Sequence, residues 1–448
     1  MTHRPGGDRP HPRTPLVGIA LLAALLVLAG VGSGLATGLA LARSGVGAPA
    51  PQRSADAVAL GQVRSVLTAR SQAVRDGDEG AFLGDVATDD AAFVADQRRL
   101  FANLAQLDLA RWSYRLVGSQ TYNVPQLGDR YDDPFLVAAV QLRYAFRGFD
   151  DRPVARALGL TFVWQDGRPL LASDTDIDAQ LPEAGHAEPW DVGAIAVARG
   201  TRALVVGDQA DSAQLATVAS RADAAVEQVA ELWPTGWSRR VVVVVAGDPR
   251  VWRTYFRDTR DPGQFAALAV PTFTQVPGWF RTADGPTRLA GSRVVVNPEW
   301  FLDAGGGLDT LLRHEITHVA LISQTRRGAP TWLVEGIAEY TANRGLGLAP
   351  RELVDAAKSG GLRLEYPSSV SFYTDGVDRN YQTSWALCAA VADRYGEETL
   401  VRLFRRLSRV TNPAQAPGVL DEVAPELLGV TPAGLLRQTE DWLVARPD

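Results

Sequence analysis

The run from Leu308 to Arg327, "LDTLLRHEITHVALISQTRR", is the feature that most constrains this chain. It contains no proline or glycine, it carries Leu311, Leu312, Ile316, Val319, Ala320 and Leu321 as an apolar body, and it ends in Arg326 and Arg327 before Gly328. That pattern predicts a helix with a basic last turn and a glycine stop. Within it His314 and His318 stand one helical turn apart. Four steps of about 100° return to within roughly 40° of the starting direction, so both imidazoles can reach one point. Glu315 lies about 100° round from His314, beside that point rather than on it. With five His in 448 residues, Glu next to one and a second His at the fourth position arise by chance at roughly a few in a thousand. The pattern reads as a metal site with a base beside it.

Zinc in a catalytic site takes three protein ligands and keeps one open position, so a third ligand has to come from nearby. "APTWLVEGIAEYTANRG" offers it: Gly328, Ala329 and Pro330 reverse the chain, and a second helix lying back across the first brings Glu335 toward the imidazoles. Glu339 stacks one turn beyond Glu335 on the same face. HEITH followed by WLVEGIAEY resembles the gluzincin metallopeptidases, which include the thermolysin-like and M1-type aminopeptidase families. The resemblance implies that His314, His318 and Glu335 bind Zn2+, that Glu315 is the general base toward a zinc-activated water, and that Glu339 orients a ligand imidazole. Sixteen residues separate His318 from Glu335, fewer than is usual in that family, which leaves the division of roles between Glu335 and Glu339 open.

The same resemblance extends along the chain. "RNYQTSWALCAAVADRYG" is similar to the downstream helix of M1-like peptidases, where a tyrosine stabilises the oxyanion. Tyr381 is the first candidate and Tyr373 the second, with a purely structural Tyr381 still open. "SRVVVNP" offers an edge along which an extended peptide can lie, as in that family, although an internal strand would read identically. No GxMEN-like stretch occurs where "LAGSRVVVNP" stands, which points away from an aminopeptidase and leaves endopeptidase or unknown specificity. The specific motifs run from Leu308 to Tyr381, and the looser likeness covers 190–448.

The other end of the chain speaks about location. Leu16 to Ala42 holds no charged residue, and at about 1.5 Å per residue it is long enough to cross a hydrocarbon core of about 30 Å. Arg4, Arg9 and Arg13 precede it, which favours a cytoplasmic N-terminus with everything later outside. A cleaved signal peptide is the competing reading, since "ALA" at 40–42 ends the run in small residues. The expectation is a single-pass anchor in the cell membrane with extracytoplasmic domains.

Between anchor and motif the pattern predicts an α+β domain. Leu60, Val63, Leu67 and Val74 recur at helical spacing until Asp76-Gly77. Trp112, Tyr114 and Leu116, then Val140, Leu142, Tyr144 and Phe146, alternate with more polar neighbours as strands do, and Asp166-Gly167 marks a hairpin. Helices followed by a curved antiparallel sheet resemble NTF2-like domains, cones that serve either packing or ligand binding. The expected fold class is α+β: cytoplasmic tail 1–15, transmembrane helix 16–42, linker 43–57, NTF2-like domain 58–178, linker 179–189, and a mainly helical zincin-like domain with a small β-sheet, 190–448. "RRVVVVV" and "SRVVVNP" are that sheet's legible strands.

Several features read as bland. Asp174, Asp176 and Asp178 alternate like a calcium loop, but Ala179 and Gly185 stand where Gly and Glu are needed, so they read as a solvated strand end. His186 reads as exposed and idle. The glycines at 305–307 lack a following Lys-Ser or Lys-Thr and cradle no phosphate. A single cysteine, Cys388, excludes an intramolecular disulfide and reads as a small core residue. A net charge of -6 gives no basic footprint for nucleic acid. The expected partners are a peptide or protein substrate and the membrane. The alternative is a zincin-fold scaffold without turnover, or a ligand sensor acting through the N-terminal domain.

Overall fold

The computed structural model describes residues 57–181, 187–255, 265–276, 286–301 and 307–447. The expected tail, transmembrane segment and tether up to residue 56, and His186, lie outside the described residues. Among the described residues no helix is long and apolar enough to cross a membrane. The chain is a mixed α/β protein with two sheets.

The first layer is helical. α1 (Ala57–Asp76) buries Leu60, Val63 and Leu67 and stops at Gly77, whose φ of 70° an L side chain rarely adopts. α2 (Glu79–Leu83) and α3 (Ala91–Leu104) are capped by the Asp78 and Asp90 carboxylates. They cover a four-stranded antiparallel sheet in the order β1 (Leu109–Tyr122), β2 (Phe135–Phe146), β3 (Val154–Gln165), β4 (Arg168–Ser173). Trp112, Tyr114, Val140, Leu142 and Tyr144 share one core with the helices, as their alternation requires. Asp166 and Gly167 both take positive φ, 49° and 76°, in the two-residue turn between β3 and β4.

The acidic run after β4 is not a solvated strand end. The Asp176 side chain is fully buried: it accepts from Tyr131 and Thr161 hydroxyls, each at 2.7 Å, and pairs with Arg130. Asp174 accepts from Gln97 Nε2 at 2.8 Å. These donors come from distant parts of the chain, so the local sequence had no means of showing them.

The second sheet carries the site. α4 (Pro189–Val192) leads into β5 (Ile195–Arg199) and β6 (Ala203–Asp208); then come α5 (Ser212–Leu232), β7 (Val241–Val245), α6 (Pro249–Tyr255), β8 (Ala267–Phe273), β9 (Leu289–Val296) and α7 (Pro298–Phe301). The strand order is β5-β6-β7-β9-β8, with β6, β7 and β9 parallel and both outer strands antiparallel. β7 is an unbroken valine run because both of its faces are covered. Val241, Val243 and Val245 join the core of the following helices, Val242 faces the N-terminal domain, and Val244 packs beside α6. "SRVVVNP" turns out to be interior: β9 is paired with β7 on one side and β8 on the other, so it offers no edge to a peptide. The two edge strands are β5 and β8, and β8 is the one next to β9.

A helical layer completes the molecule: α8 (Gly307–Leu321), α9 (Thr331–Asn343), α10 (Arg351–Lys358), α11 (Val377–Tyr395), α12 (Glu397–Leu407), α13 (Ala416–Leu428) and α14 (Pro432–Val444). The two sheets are joined through buried contacts. Trp190 packs edge-on against Tyr144 and Phe146, and Arg293 of β9 binds Asp150 through two hydrogen bonds of 2.8 and 2.9 Å.

Candidate metal centre

α8 is buried almost all round, with Leu311, Leu312, Ile316, Ala320 and Leu321 in the core. On such a helix four polar side chains in one stretch need partners, and His314, Glu315, Thr317 and His318 are all buried. Thr317 satisfies itself on the Arg313 carbonyl at 2.7 Å. His314 and His318 face a common centre, and Glu315 lies beside it.

α9 reaches that centre from the far side. Gly336 lets it approach α11 closely: a Cβ there would lie 2.4 Å from the Ser384 carbonyl oxygen. The close crossing brings Tyr381, one turn before Ser384, within 6.3 Å of His314 between ring centroids. It also sets Glu335 opposite the imidazoles.

The geometry is compact. His314 Nε2 and His318 Nε2 are 3.0 Å apart, and Glu335 Oε2 lies 3.3 and 3.4 Å from them. Ligands about 2.0–2.1 Å from a tetrahedral metal are themselves separated by about 3.3 Å, so two nitrogens and one oxygen at these spacings fit one ion. His314, His318 and Glu335 form a buried group able to hold a metal ion. Glu335 Oε2 has no hydrogen-bond partner, which is a costly state for a buried carboxylate oxygen unless a cation meets it.

Neighbouring groups orient this set. Glu339 Oε1 lies 3.0 Å from His314 Nδ1, a placement that favours a proton on Nδ1 when Nε2 serves a metal. Asn343 in turn donates to Glu339 Oε2 at 3.2 Å. Tyr373 donates its hydroxyl to Glu335 Oε1 at 2.7 Å. The Tyr381 hydroxyl is buried and has no hydrogen-bond partner among the described residues.

Protonation follows from burial and from these neighbours. Burial alone would lower His314, but the nearby Glu335 and Glu339 carboxylates hold it well above the ordinary histidine value in the metal-free chain. His318 is lowered, burial outweighing the pull of Glu335. Burial would raise Glu335, yet His318 and His314 hold it down at about 2. Glu315 is different: burial pushes it up to about 7, with His314 opposing and Glu335 adding to the rise. The backbone of Ala269 on β8 opposes that rise, and among the described residues Glu315 Oε1 is left without a partner.

All of the sequence-selected residues, His314, Glu315, His318, Glu335, Glu339, Tyr373 and Tyr381, therefore meet in one place. Sequence reasoning missed the Ala269 backbone and Asn343. Asn343 had a signal, since it follows Glu339 by one helical turn. Ala269 had none. No family model matches the chain and no curated protein matches it as a relative, so the reading rests on the residues themselves.

Proposed function

We propose that the chain is a zinc metallopeptidase of gluzincin type that hydrolyses peptide bonds, anchored in the cell membrane by residues 16–42 with its folded part outside. The observation that carries this reading is Glu315: a buried carboxylate beside the metal-binding group, with one oxygen unsatisfied among the described residues. A scaffold needs the ligands but has no use for that group.

His314, His318 and Glu335 are the residues that would hold zinc, which when bound supplies a Lewis acid and lowers the pKa of a water from about 16 to about 7. Glu315, buried beside the metal-binding group with one carboxylate oxygen unengaged, takes a proton from the attacking water and passes it to the leaving amine. Tyr381, with its hydroxyl unengaged, donates to the oxygen that becomes negative during attack. β8 is an edge strand and the backbone of Ala269 on it favours the charged form of Glu315, so a peptide laid along β8 passes the base. The N-terminal helices and antiparallel sheet suit an NTF2-like domain, and the uncharged run 16–42 supports export.

Glu315→Gln tests the proposal. The variant is expected to keep about one zinc per chain and to lose about 10²–10⁴-fold in cleavage of a peptide library. A folded wild-type chain that takes up no zinc, or a Gln variant that cleaves as well as wild type, would overturn it.

A further inference from the structure

We infer that Tyr373 is the positioning residue that fixes Glu335 as a one-oxygen ligand, an inference that rests on the metal site proposed above. A carboxylate has two equivalent oxygens and rotates about its last bond, so something must decide which oxygen faces the metal. Here the Tyr373 hydroxyl takes Oε1 at 2.7 Å, the length of a charge-assisted bond, and leaves only Oε2 facing His314 and His318.

The loop that carries Tyr373, between α10 and α11, is tied so as to hold that hydroxyl in place. Ser369 Oγ accepts from the Thr331 amide at the start of α9 at 3.0 Å, which fastens the loop to the helix that bears Glu335. Asn380 Nδ2 donates to the carbonyls of Phe372 and Asp375, each at 2.8 Å, which fastens it to α11. The Phe372 ring is fully buried and stands 5.0 Å from the Tyr373 ring and 5.1 Å from the Tyr381 ring. Tyr373 is thus braced from both sides before any metal arrives. Its arrangement parallels that of Glu339 on His314, so two of the three ligands are each held by one dedicated side chain. The two tyrosines then have separate duties: one hydroxyl is spent on the ligand, the other is free for the substrate.

The test compares Tyr373→Phe with Tyr381→Phe in the detergent-solubilised full chain. Zinc affinity is read by competition with a chromophoric chelator, and coordination geometry by the visible spectrum of the cobalt-loaded protein. Tyr373→Phe is expected to weaken zinc about 10–100-fold and to alter the cobalt spectrum, because the freed Oε1 can also approach the metal. Tyr381→Phe should match wild type in both readouts and in metal-free melting temperature, while Tyr373→Phe, which strands the buried Glu335 Oε1, should melt lower without metal. Equal affinity and an unchanged spectrum in Tyr373→Phe would overturn the inference, as would an equal loss in Tyr381→Phe. A wild-type chain without zinc would overturn the site itself, and the wild-type control distinguishes that case. Should Tyr373→Phe fail to fold, Asn380→Ala loosens the same loop without touching the tyrosine; it is expected to weaken zinc in the same direction, and unchanged affinity would count against the inference.

Discussion

The molecule buries charge in two places, and the two clusters are closed in different ways. Around Glu188, Arg156 donates through Nε at 2.6 Å, Tyr144 through its hydroxyl at 3.1 Å, and Tyr255 occupies the second oxygen. Arg293, which stacks on the Tyr144 ring, binds Asp150. Each carboxylate there meets its own guanidinium. Around His314 the carboxylates of Glu315, Glu335 and Glu339 gather with two imidazoles, and among the described residues no Arg or Lys pairs with any of them. The first cluster satisfies its charge internally and joins two sheets. The second holds no guanidinium or ammonium among the described residues, so beyond the His314 proton its negative charge has no partner until a cation arrives. Buried charge alone does not mark a site; the missing counter-charge does.

The comparison breaks most completely at the second cluster. His318→Ala is expected to reduce zinc from about one per chain to none. The stabilisation that zinc gives the wild type, about 2.7 kcal/mol at a hundredfold excess over Kd, should vanish with it, as read by melting with and without the metal. A variant that still melts higher with zinc would place the ion elsewhere.

At the first cluster the expected loss is in stability alone. Arg156→Met strands the Glu188 carboxylate, which is 1% exposed, and should cost about 3–5 kcal/mol in urea unfolding while zinc per folded chain stays the same. Adding Glu188→Gln removes the stranded charge and should recover most of that loss. If Arg156→Met proves neutral, internal charge balance is not what holds the two sheets together there.

The contrast also explains what the sequence could reveal. His314, Glu315 and His318 were legible because helix geometry converts spacing into direction, and Glu335 because a short Gly-Ala-Pro reversal limits where α9 can lie. The Asp166-Gly167 hairpin and the valines of β7 were legible for the same local reasons. β5, β6 and β8 were not picked out, being short strands without clear alternation, although Pro271 inside β8 is the kind of residue that belongs on an edge. The Tyr373 bond to Glu335, the Arg130 and Tyr131 contacts of Asp176, and the Glu188 cluster join residues 32 to 67 positions apart. No local pattern specifies such pairings.

The smallest expected effect sharpens the comparison through pH. In the metal-free chain burial raises Glu315 from 4.5 to about 7. Between those values the folded chain keeps a proton that the unfolded chain has released, so this group makes stability fall as pH rises through that window. Glu335 acts in the opposite sense: held down at about 2, it contributes stability that is present above 4.5 and is lost as pH falls toward 2. Glu315→Gln removes only the first of these. With metal chelated, the urea midpoint of the variant should be flatter than that of wild type between pH 4.5 and 7, while both fall together at lower pH. Buried carboxylates elsewhere, Asp178 among them, titrate identically in both chains and drop out of the difference. Superimposable profiles would mean that burial does not raise Glu315 in the metal-free chain.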